Sequence, residues 1–224
     1  MVRMGCAECG CIIEKGVRVV VCSDDCCCRN LPVSEEASCV SHRLEMGIWR
    51  DDVRAELEEA RTTFHRLLAS ASELELGQQS NGTRWTNRQL LFPMLFGYMI
   101  VRSLLILVKV LGRLPLSFSR VFVRLLDAAT RPFNVANYWG SVVGSRVFRD
   151  ERMGKKFDAV VASLRRHLDR ETQDNMKREM AYPTKWDPFF KPTMSLIDIY
   201  HYPKQHFDFH QRQLTVDIAP ASDK

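Results

Sequence analysis

TNRQLLFPMLFGYMIVRSLLILVKVL, residues Thr86 to Leu111, is the stretch whose reading decides the fold of this chain. Its apolar part, Leu90 to Leu111, admits two readings: a membrane span, or the central helix of a soluble helical protein. Arg102 stands in its middle, Lys109 near its end and Pro93 near its start. A central Arg disfavours insertion by about 2.5–3.5 kcal/mol. No uncharged run in it reaches the roughly 18 residues that a span requires. The stretch therefore reads as a buried helix whose Arg reaches the surface along its aliphatic stem. Thr86 with Gln89 three residues on is a capping box that opens this helix. Gly112-Arg-Leu-Pro115 closes it.

Helical periodicity recurs on both sides. Trp49, Val53, Leu57, Ala60, Phe64, Leu67 and Leu68 follow one another at steps of mostly three and four, which predicts a helix from Ile48 to about Leu76. Gly77-Gln-Gln-Ser-Asn-Gly82 is a loop. A third helical stretch runs from Ser119 to Thr130 and ends before Pro132, and residues 133–150 show no clear period. Met153 to Met180 is again helical, with Phe157, Val160, Val161, Leu164, Leu168 and Met176 on one side. Pro183-Thr-Lys-Trp-Asp-Pro-Phe-Phe-Lys-Pro192 is an aromatic loop pinned by prolines. A final helix is expected from Thr193 to about Leu214, kinked or split at Pro203. Four long helices with almost no strand imply an all-α four-helix bundle with short extra helices, over residues 48–215. Residues 216–224 read as a disordered tail.

The N-terminus differs. Cys6, Cys9, Cys11, Cys22, Cys26, Cys27 and Cys28 crowd into a short stretch, and Cys39 follows. Val17-Arg-Val-Val-Val21 reads as a short strand, and Leu31-Pro-Val-Ser-Glu-Glu36 as a linker. The opening residues lack the apolar core of a secretory leader, so the expected compartment is the cytoplasm and the thiols are expected to be reduced. Metal chemistry is then favoured over a disulfide framework. Cys6-x2-Cys9 and Cys22-x3-Cys26 could close a structural zinc site of four thiolates, making residues 1–40 a small zinc-knuckle segment. So few apolar anchors would hardly hold such a segment without metal.

Bulk numbers bound the rest. The chain has 224 residues, 46% hydrophobic and 26% charged, which allows a packed core. Its net charge of +5 is small, and no basic run interleaves with aromatics, so nucleic acid is not expected as a partner.

His201-Tyr-Pro-Lys-Gln-His206-Phe-Asp-Phe-His210 places two imidazoles four residues apart. On a helix their Cβ atoms lie roughly 5–6 Å apart on one face. Two neutral ring nitrogens at that separation can grip one divalent ion. Leu196, Ile199, Pro203, His206 and His210 share one stripe, so the pair continues a core-facing face.

Three segments together resemble the DinB-like superfamily: Arg84-Trp-Thr-Asn-Arg-Gln-Leu-Leu-Phe92, the Pro-Thr-Lys-Trp-Asp-Pro-Phe-Phe loop (183–190) and Gln205-His-Phe-Asp-Phe-His210. The resemblance covers roughly residues 50–215. It implies a four-helix bundle with a divalent metal, zinc or nickel, on three histidines. It also implies a transferase or isomerase that uses a low-molecular-weight thiol (glutathione, mycothiol or bacillithiol) with a small-molecule electrophile. His206 and His210 would be two of the ligands. The third is expected early in the second helix, where this chain has Pro93, which carries no ligand atom. His65 of the first helix is the candidate substitute, with water as the alternative. Trp186, Phe189 and Phe190 could cap the pocket. Two other readings stand beside this one: a non-catalytic, degenerate bundle that binds a partner through its cysteine-rich segment, and a membrane-associated helical protein. Substrate and oligomeric state, a homodimer included, stay open.

Overall fold

The computed structural model describes residues 33–148 and 150–216, with two-residue strands at Met4–Gly5 (β1) and Ile12–Ile13 (β2). Side chains are described over 48–148 and 151–216. Cys6, Cys9, Cys22, Cys26, the Val17–Val21 run and the tail from Asp217 lie outside the described residues.

The fold is all-α apart from short strand pairs. Its helices are α1 (Val33–Ser70), α2 (Glu73–Gly77), α3 (Asn87–Leu111), α4 (Leu116–Ala128), α5 (Thr130–Val147), α6 (Asp150–Asp169), α7 (Gln173–Met176) and α8 (Leu196–Gln211). Strands β3 (Glu179–Ala181) and β4 (Thr193–Ser195) pair antiparallel, with Met180 opposite Met194. α1 packs on α6 and α8, and α3 packs on α5, α6 and α8.

One aromatic ring from each of α1, α3, α6 and α8 meets at the centre. Phe64 stacks on Phe157 with centroids 4.5 Å apart, Tyr98 lies 4.8 Å from Phe157, and Phe207 lies 6.0 Å from Phe157 and 6.1 Å from Tyr98. All four are fully buried. Offset and edge-on rings add to their area burial. Near the α6–α7 turn a buried carboxylate ties three elements: Glu171 accepts from Lys109 and, at 3.0 Å, from the Tyr200 hydroxyl.

The start of α3 is as expected. Thr86 and Gln89 form the capping box, and the α3 window that is apolar enough to cross a membrane is a little over half buried, with Arg102 exposed. Several boundaries differ from expectation. α1 begins at Val33, inside the expected linker, and stops at Ser70, where Ser72 starts α2 with its own capping box to Glu75. Residues 133–150 fall mainly within α5, and Pro132 sits inside its first turn, where a missing N–H has no intrahelical partner to lose. The helix expected to reach Met180 stops at Asp169, and Met180 is a strand residue. The last helix begins at Leu196 behind a Ser195–Asp198 capping box, and it passes through Pro203 as one element.

Truncating Phe157→Ala removes the ring that touches the other three and should destabilise the fold by about 3–5 kcal/mol in urea unfolding. A change below about 1 kcal/mol would contradict a core centred on this ring.

Candidate functional site

α3 and α8 share a close seam at the buried Gly97. An added Cβ on Gly97 would stand 2.8 Å from Cδ2 of His206, so only a residue without a side chain lets the two helices meet there. Around this seam lies an apolar cavity of about 320 Å³. α3 contributes Pro93, Phe96, Ile100, Leu104 and Leu107 at steps of three and four, and α4 adds Phe122 and Leu126. Among its few polar groups, His206 and His210 come from α8, Asp187 from the 183–192 loop and Asn137 from α5.

The two histidines come together as their spacing predicts. Their ring centroids are 4.6 Å apart, with planes at 80°. Each has its Nδ1 engaged. His206 donates to Oδ2 of Asp187 at 2.8 Å, and His210 donates to Oε1 of Gln213 at 2.8 Å. Asp187 is itself fixed: the Tyr202 hydroxyl donates to Oδ2 at 2.9 Å, and the Phe189 N–H donates to Oδ1 at 2.9 Å. Burial alone would raise this carboxyl. The hydrogen bond and charge of His206, with the Phe189 and Tyr202 donors, hold it below the ordinary Asp range instead. With Nδ1 donating, the lone pair of a neutral ring lies on Nε2. This carboxylate–imidazole arrangement sets the tautomer of histidines that bind metal.

Other expected members of the site are placed differently. Pro93 does line the cavity, within α3. His65 does not join the pair: its Nε2 lies 2.8 Å from Oδ1 of Asp158, half-exposed between α1 and α6. On that seam the Asp158 carboxylate engages the Nε2 of this ring. Trp186 and Phe190 line the cavity as supposed, but Phe189 is not among its lining residues and instead meets Phe209 at 5.6 Å. Trp186 also donates to the Leu126 carbonyl at 3.0 Å and stacks on Phe133 at 4.0 Å, which fastens the loop to α4 and α5. Among the described residues no group of three or more His, Cys, Asp or Glu side chains is arranged to hold a metal ion. An ion bound here would find His206 and His210 as its protein donors, and any further donor would have to come from elsewhere.

Asp187 and Gln213 escape reasoning from sequence alone. Gln213 had a faint signal, lying three residues after His210. Asp187 had none, because it acts across 19 residues of chain. A shallower depression shares Trp85, Asn137, Phe209 and His210 with the cavity and carries Arg84 and Gln213 on its rim.

Comparison with protein-family models, with curated proteins and with solved structures finds no match.

Burial first, and then the neighbouring His206, push His210 down from 6.5 to about 4. The unfolded chain protonates this ring at the ordinary value and the folded chain only at the lower one. Between them the unfolded state binds more protons. The stabilisation is therefore complete above about pH 6.5 and lost progressively as pH falls toward about 4. His210→Gln should flatten denaturant stability against pH across that window. Equal slopes in variant and wild type would contradict a neutral, buried His210.

Proposed function

We propose that this chain is a DinB-like four-helix bundle, built on α1, α3, α6 and α8, that uses a divalent metal, zinc or nickel, at His206 and His210 for thiol-dependent transfer or isomerisation. One observation carries the reading. Both histidines have Nδ1 tied to an acceptor, and both border the same apolar cavity, which leaves Nε2 of each neutral ring as the nitrogen that can bind an ion.

A thiol coordinated to such an ion is held as its thiolate, the nucleophilic form. The chain's own residues do the rest. Asp187 fixes the ring of His206, while Tyr202 and the Phe189 N–H fix Asp187. Gln213 orients His210, whose lowered proton affinity keeps it neutral at physiological pH and so able to donate its lone pair. The aromatic and aliphatic walls exclude water from a bound electrophile, which strengthens electrostatic effects inside. Arg84, on the rim next to His210, is positioned to attract the carboxylates of a glutathione-like thiol from the solvent side.

Pro93 borders the same cavity, which supports it as the position of the missing third ligand. A catalytic zinc ordinarily has three protein ligands. That shortfall favours the second reading, a degenerate bundle whose cysteine-rich segment binds metal and a partner.

Metal content of the purified full chain separates the two. Under the first reading His206→Ala and His210→Ala each abolish binding of one zinc or nickel ion, and replacing Cys6, Cys9, Cys22 and Cys26 by Ser leaves that ion in place. Pro93→His should then tighten it by at least about tenfold, the scale of one added ligand. Metal lost only with the cysteines, and none gained with Pro93→His, would favour the degenerate bundle.

A further inference from the structure

α4 and α5 turn large apolar side chains outward in a way the cavity does not use. Leu114 in the turn before α4, then Phe118, Val121 and Leu125 on α4, recur at steps of four, three and four, each between 45% and 67% exposed. On α5 the residues Val135, Trp139, Val143 and Val147 recur every fourth position, each between 53% and 60% exposed. Ile106 and Val110, at the end of α3, are exposed just ahead of the first row. A surface helix ordinarily turns its apolar stripe toward the core. Here each helix has two apolar faces. The inner ones are occupied: Phe122, Leu126 and Phe133 wall the cavity, and the Ser119 hydroxyl accepts the Ala181 N–H at 3.1 Å. The helices are thus pinned from beneath, and the outer rows are left to solvent.

Exposed apolar surface of this extent marks an interaction site. Charge selects the partner. Residues 113–147 hold five arginines, Arg113, Arg120, Arg124, Arg131 and Arg146, against the single acid Asp127. All five are exposed, and none meets a carboxylate among the described residues. Around the apolar rows this pattern reproduces that of helices lying in a lipid interface, with cationic groups beside a Trp, Phe and Leu face. A second copy of the chain docking through the same face would set arginine against arginine, which disfavours self-association. An anionic lipid surface supplies both an apolar interior and the opposite charge. Trp139 has the amphipathic ring that settles at such a boundary.

We infer that the outer face of α4 and α5 docks on an anionic phospholipid surface, with the apolar rows entering the interface and the arginines meeting the lipid phosphates. The protein lies on the bilayer and does not span it, because α3 is the packed centre of the fold. This placement sets the covered side of the cavity against the membrane, and it does not depend on the metal.

The test is sedimentation of the full chain with vesicles of phosphatidylcholine alone and of phosphatidylcholine containing one-third phosphatidylglycerol. The anionic vesicles should carry down at least about ten times more protein, and high salt should release it. Phe118→Glu combined with Leu125→Glu should abolish binding while leaving the far-ultraviolet circular dichroism unchanged, since both side chains are exposed. Arg120→Gln with Arg124→Gln should reduce the preference for anionic vesicles. Were the acidic variant to misfold, the salt release of the wild type still decides. Protein that stays in the supernatant with both vesicles would overturn the inference. So would a dimer in sedimentation velocity that Leu125→Glu dissociates without any vesicle binding. Retention in vesicles after alkaline carbonate extraction would overturn surface docking in favour of a span.

Discussion

A methyl group at position 97 would collide with the ring of His206, and the organisation of the molecule follows from its absence. Because residue 97 is glycine, α8 can lie along α3 with backbone close to side chain. That approach holds the histidine ring at the edge of the cavity. α3 also supports α5 and α6, so the seam and the core share one rod. The ring cluster of Phe64, Tyr98, Phe157 and Phe207 locks the rod from the other side. Interiors at crystal-like density transmit small displacements, so a shift at this seam reaches both the core and the histidines.

Two carboxylates are buried among the described residues, Glu171 and Asp187. Near the α6–α7 turn, Glu171 gathers Lys109 and Tyr200. In the cavity, Asp187 gathers His206, Tyr202 and the Phe189 backbone. A buried carboxylate is tolerated only where several donors converge on it, and each of these has them. The second network has a consequence the first lacks. It engages the Nδ1 of a histidine that lines the cavity and so leaves the opposite nitrogen as the one not held by Asp187. Burial then keeps the neighbouring His210 uncharged. His210 thus stays neutral in surroundings that would ordinarily expel a charged group.

Much of this was legible in the chain itself. The capping box at Thr86, the periodicity of Trp49 through Leu67 and the four-residue spacing of His206 and His210 are local signals, and the elements they announce are present. Other readings went astray for identifiable reasons. The helix drawn through Met180 followed apolar spacing past Asp169, yet Met180 satisfies its backbone by pairing with Met194, a partner no local pattern reveals. Pro132 read as a stop, but a proline in a first turn forfeits no hydrogen bond. His65 looked available as a ligand because a sequence does not show that Asp158, on another helix, already holds its nitrogen.

By itself, the sequence determined that the chain is helical, that Thr86–Leu111 is its apolar centre, and that two histidines lie on one face of the last helix. These follow from periods of three and four residues, which the backbone imposes locally. Only the tertiary structure decided which ring nitrogens are engaged, that Asp187 and Gln213 are the groups engaging them, that His65 meets Asp158, and that α4 and α5 keep apolar rows on the outside. Each of those depends on contacts between residues distant in the chain, or on which of two apolar faces a helix buries, and neither is written in spacing alone.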